Sequence, residues 1–130
     1  MKTLQPPGWP RPKGYSNGVS ARGQMIFTAG VVGWDEQERF AADTLAGQFE
    51  QALRNIVAIL AEDKAAPEHI VRMTCYVTDM ADYRSSLADI GRAWKKVIGA
   101  HYPAMALVAV SALVEPNALV EIEATAVVEE

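Results

Sequence analysis

The chain has 130 residues, half of them apolar and 22% charged, which suits one globular domain and excludes a disordered tail. Twelve basic against sixteen acidic side chains give a net charge of −4, and Lys95-Lys96 is the only adjacent basic pair, so a nucleic-acid partner is not expected. The longest apolar stretch, residues 103–114, falls short of the ~20 residues that span a bilayer, and no apolar secretory core follows Met1, so neither membrane nor export is expected.

A folded chain of 14.1 kDa exposes roughly 6,700 Å², against roughly 20,000 Å² when extended, so a real core is available without staples. The single cysteine, Cys75, has no intrachain partner, which points to a reducing, cytoplasmic setting. Cys75, His69 and His101 show no metal-ligand spacing.

Residues 1–14 carry Pro6, Pro7, Pro10 and Pro12, four of the seven prolines. The segment is expected to run extended over the surface, with Trp9 as an anchor. Val19–Arg22 and Met25–Gly30 read as a β-hairpin turning at Arg22-Gly23-Gln24. Gly30 and Gly33 break its second strand, and residues 34–39 form a polar loop.

Asp43 or Thr44 caps a helix running to about Glu62. Leu45, Phe49, Ala52, Leu53, Ile56 and Leu60 recur at spacings of three and four, giving one apolar face. Glu50 and Arg54 are positioned to pair outside it. Ile70–Val77 alternates cleanly as a strand, with Met73, Cys75 and Val77 on one face and Arg72, Thr74 and Tyr76 on the other. A capped turn at 79–82 leads into a second amphipathic helix from Tyr83 to Ile98, closed by Gly99. The strand 104–110 is apolar on both faces, which predicts burial on both. The last strand, Leu119–Val128, sets Glu121, Glu123 and Thr125 against Val120, Ile122, Ala124 and Ala126.

The order is β-β-α-β-α-β-β in one domain spanning 1–130, of α/β (α+β) class, with both helices on one face of one sheet. A second copy of the chain is the economical cover for the other face.

No catalytic motif stands out from the residues alone. His69 and His101 read as turn residues, and Cys75 as a buried, inert thiol. Glu121 and Glu123 share a half-buried strand face. They read either as a solvated edge or as cleft carboxylates able to act as acid, base or water-orienting group. Tyr15, after Gly14, either packs or covers a pocket.

Gly14-Tyr15-Ser16-Asn17-Gly18-Val19, Phe27-Thr28-Ala29-Gly30, the helix around residues 48–60, Tyr102-Pro103-Ala104 and Val120-Glu121-Ile122-Glu123-Ala124 together resemble the RidA/YjgF proteins, the reactive intermediate deaminases also called endoribonuclease L-PSP. The resemblance runs from about residue 14 to the end of the chain. It implies a chorismate-mutase-like fold with a mixed sheet. It also implies a homotrimer with small-molecule clefts between subunits, and hydrolysis of enamines and imines without metal or organic cofactor. By the same resemblance, Glu123 orients water or acts as acid and base, and Tyr15 assists. Ala29, Gly30, Met105 and Leu107 stand at substrate-binding positions. The family arginine that follows Pro-Ala, and pairs with a substrate carboxylate, is here Met105. The cysteine two residues on is Leu107, and a serine position is Ala29. These changes replace a polar pocket by an apolar one. They point to a substrate other than 2-aminoacrylate, or to a non-catalytic trimeric binder of small metabolites. A ribonuclease-like role has only the older family label behind it.

Overall fold

The computed structural model describes residues 1–129. Thr44 opens the first helix, α1 (Leu45–Ala61), with its hydroxyl accepting the Gly47 N–H at 3.2 Å. The three-and-four spacing then turns Leu45, Phe49, Leu53, Ile56 and Leu60 onto one buried face. That face lies on a sheet in which β7 (Val120–Val128) is flanked by β3 (Gln24–Phe27) on one side and β5 (Ile70–Val77) on the other. A short β4 (Val31–Val32) also pairs with β7. The parallel strand β6 (Ala104–Ala109) pairs with β5 and forms the far edge. All other pairings are antiparallel, so the sheet is mixed.

Alternation along β5 and β7 sends Met73, Cys75, Val77, Val120, Ile122 and Ala124 into a core shared with α1. Ile90 and Trp94 of α3 (Leu87–Val97) complete it. The opposite sheet face carries Arg72, Thr74 and Tyr76 beside Thr125, Glu123 and Glu121, which are their direct cross-strand partners. The helices cover one face only, as the pattern of apolar residues predicts.

One buried polar side chain pins α1 to the turn before β7. Gln48 donates to the carbonyls of Ala42 and Asn117, at 3.2 and 3.0 Å, and accepts the Leu119 N–H at 2.8 Å. Gly33 lets the segment after β4 lie directly on α1, because a Cβ there would overlap the Gln48 backbone carbonyl.

Three expectations need correcting. The 19–22/25–30 hairpin does not form. β2 (Gly18–Ser20) instead pairs with β1 (Lys2–Leu4), and β3 pairs with β7. The prolines exclude ladder pairing only from residue 6 onward, which leaves Lys2–Leu4 able to partner β2. β7 is long and offers β3 a four-residue ladder. Trp9 anchors nothing, being 59% exposed. The second helix is interrupted at Ser86, giving α2 (Met80–Ser85), capped by Asp79, and then α3. β6, an edge strand in the single chain, leaves Ala106, Val108 and Ala109 exposed, which is the apolar surface for which a second copy is the expected cover.

Candidate functional site

Tyr15, Met105 and Leu107 meet. Met105 and Leu107 pair in register with Met73 and Cys75, so both project to the helix side of the β6 edge. There they line a cavity of about 610 Å³ between β6 and α3, with Phe49 and Trp94 beneath and Tyr15 at the side. Tyr102 lies nearly parallel to Trp94, with 6.1 Å between ring centres, and the Trp94 indole N–H donates to the His101 carbonyl at 3.0 Å. Ser16 fastens the Tyr15 wall to β6. Its hydroxyl donates to the Tyr102 carbonyl at 2.5 Å and its N–H to the Pro103 carbonyl at 2.9 Å.

Glu123 lies elsewhere, on the open face of the sheet. It accepts a 2.6 Å hydrogen bond from the Tyr76 hydroxyl. That bond, with burial and the Glu123 and Glu121 charges, raises the Tyr76 pKa above the usual phenol value. Glu123 also borders a small cavity of about 230 Å³ with Arg72, Thr74, Thr28 and Thr125. Arg72 is exposed and makes no ion pair with the described residues.

Ala29 and Gly30 lie at the opposite sheet edge from Met105. Thr28 holds this turn, accepting the Ala124 N–H at 3.0 Å and donating to the Ala29 carbonyl at 2.8 Å. The Glu121 side chain packs directly against Gly30, in the space a Cβ there would take. Within one chain the sequence-predicted residues therefore form two groups. Tyr15, Met105 and Leu107 are together. Glu123, Ala29 and Gly30 are not with them.

The remaining candidates have structural work. His69 accepts the Ala66 N–H at 2.8 Å, and His101 Nε2 contacts the Ile70 carbonyl at 2.6 Å. Cys75 is fully buried, and burial pushes its thiol up to about 12. No three potential metal ligands converge among the described residues. Sequence reasoning missed Arg72, Tyr76 and Trp94. The signal for the first two was present, since every second residue of β5 is polar, but alternation marks a face and does not name its partner across the sheet.

The Endoribonuclease L-PSP family model matches residues 10–128. A RutC family protein of Synechocystis is 32% identical over 98% of this chain and 96% of its own length. The chloroplastic Reactive Intermediate Deaminase A of Arabidopsis thaliana is 31% identical over 86% of this chain and 57% of the plant protein. Among solved structures, a Rid family protein of unknown function from Yersinia pestis superposes with a TM-score of 0.86, at 29% identity and 98% coverage of both chains. RidA from an Antarctic Psychrobacter gives 0.70 at 28% identity, covering 98% of this chain and 100% of that one. With this fold, and with a family match spanning nearly its whole length, the chain belongs to the RidA/YjgF family of Endoribonuclease L-PSP proteins.

Proposed function

We propose that the chain is a cytoplasmic, homotrimeric enamine/imine hydrolase whose substrate has a larger apolar body than 2-aminoacrylate. The observation that carries this reading is the meeting of Tyr15, Met105 and Leu107 in one apolar cavity at the β6 edge. Nothing at the Met105 position can pair with a carboxylate, so a small charged imine gains little there, whereas apolar surface gains about 25 cal/mol per Å² buried.

Assembly completes the site in this reading. The cavity lies at one edge of the sheet and Ala29-Gly30 at the other. Copies closing edge against edge in a ring bring one chain's cavity to its neighbour's open-face residues, Glu123 among them. Two observations support such a ring. Met25, Phe27 and Val108 are 58, 66 and 43% exposed. The single chain also exposes 7,909 Å², against the roughly 6,700 Å² usual for a monomer of its mass. In the reaction, Glu123 takes a proton from water as it adds to the C=N carbon. It passes that proton to nitrogen to give a carbinolamine, then moves the carbinolamine hydroxyl proton to nitrogen as the C–N bond breaks, leaving a carbonyl and ammonia. Tyr76 holds the carboxylate in place.

A non-catalytic metabolite binder is the second reading. It is favoured by one feature: no Asp or Glu among the described residues lines the cavity of the single chain. Two measurements test the assignment. Sedimentation equilibrium gives three times the chain mass, and a stable monomer at micromolar concentration overturns the assembly. Imines generated in place by an amino-acid oxidase release ammonia faster with the protein, more so for bulky apolar side chains than for 2-aminoacrylate. No acceleration with any imine leaves the binder.

A further inference from the structure

Three of the chain's twelve basic residues, Lys13, Arg92 and Lys95, line the 610 Å³ cavity, while no acid among the described residues does, although acids outnumber bases sixteen to twelve overall. Charge and depth are sorted. The three cationic residues are exposed, whereas Phe49, Ile90 and Trp94 are buried and Met105 and Leu107 partly so. Arg92 is already paired with Asp89, but neither Lys13 nor Lys95 pairs with a described carboxylate.

The helix wall adds an independent sign that the space is kept open. Gly91 sits in the interior of α3, where glycine is among the poorest helix formers. It lines the cavity, and an added Cβ there would meet no atom within 4 Å. Its neighbours on the wall, Leu87 and Ala88, are apolar, and Leu87 is 53% exposed.

We infer that this cavity takes amphipathic carboxylates tail first, with the apolar chain over Met105, Leu107 and Trp94 and the carboxylate at the mouth between Lys13 and Lys95. This places the anion at the opposite end of the site from Met105. Charge is supplied at the rim, and the apolar floor is free to accept length. The volume lies within the range of ordinary small-molecule sites. The inference rests on the reading above only in treating this cavity as the ligand site, and it requires no imine chemistry.

Calorimetric titration with hexanoate, octanoate and 1-octanol tests it at low salt. Octanoate binds once per chain, about fourfold tighter for each methylene added beyond hexanoate. The Lys13→Gln/Lys95→Gln double variant loses about tenfold for octanoate and nothing for octanol. Gly91→Leu, which fills the wall and favours the helix, abolishes binding of both while leaving the circular dichroism intact. Octanol binding as tightly as octanoate, octanoate binding unchanged in the double variant, or no octanoate binding overturns the inference. Failure here with imine turnover intact leaves the hydrolase reading standing. Octanoate binding without turnover of any imine removes the hydrolase reading and keeps this one.

Discussion

Tyr76 on β5 donates its phenolic hydrogen to the Glu123 carboxylate on β7 across 2.6 Å, joining residues 47 apart in sequence on the uncovered face of the sheet. The bond fixes the carboxylate without burying it. It also keeps the phenol protonated beyond its usual range, since ionising Tyr76 would set two negative charges in contact.

Glu123→Gln removes that charge and keeps the shape. The alkaline titration of Tyr76, followed by phenolate absorbance, then moves down toward the ordinary phenol value. Thermal stability changes by less than about 1 kcal/mol, as for other partly exposed polar pairs. Ammonia release falls at least a hundredfold if the carboxylate handles the water. Unchanged turnover assigns Glu123 a structural role.

Met105→Arg places a guanidinium in the cavity on the helix side of β6. No carboxylate lines the cavity of the described chain, so the cation enters unpaired. Stability falls by about 1–3 kcal/mol. Turnover of 2-aminoacrylate rises, because a carboxylate gains a charge-assisted bidentate partner. A wild-type rate on 2-aminoacrylate that already equals that of arginine-bearing relatives contradicts the assignment.

Gln48→Leu strands two carbonyls, those of Ala42 and Asn117, and the Leu119 N–H. The Asn117 and Leu119 bonds tie α1 to the start of β7. The variant loses about 2–4 kcal/mol in urea unfolding, with an unchanged slope. A loss under 0.5 kcal/mol would show that water replaces the side chain.

Cys75 is the one thiol, and burial raises its pKa to about 12 from the ordinary value of 9.0. A disulfide reagent at pH 8 therefore labels the native chain only through unfolding and labels it at once in concentrated urea. The sign of the linkage follows. Below about pH 9 the thiol is protonated in both states and its contribution is whole. As pH rises from there toward about 12, the unfolded chain alone loses the proton, and stability declines.

Local pattern carried much of the fold. The Thr44 cap, the apolar stripe of α1, the bounds of β5 and the left-handed Gly99 after the second helical region are all set by neighbours in sequence. Pairing was harder. β2 and β3 are three and four residues long, and nothing in Gly18–Ser20 says that its partner is Lys2–Leu4 rather than the next strand. β6 poses a related problem, because an apolar strand reports that something covers it without naming the cover. The site divided along the same line. The family pattern pointed to Tyr15, Met105 and Leu107 as well as Glu123, but only the cross-strand register puts Met105 and Leu107 on one side of the sheet, where Tyr15 joins them, and Glu123 on the other with Tyr76.

The fastening of residues 14–16 to β6 makes the cavity modular. Helices and sheet build its floor and most of its walls from the cooperative core. The Lys13–Tyr15 side is a strap held at Ser16 by two hydrogen bonds and a single bridge to Ala104. Cleavage or fusion just ahead of Ser16 would therefore reshape one wall while leaving the unfolding transition nearly unchanged. Ligand affinity and global stability can drift independently in this chain, and a screen that scores only melting temperature would miss every change made to the strap.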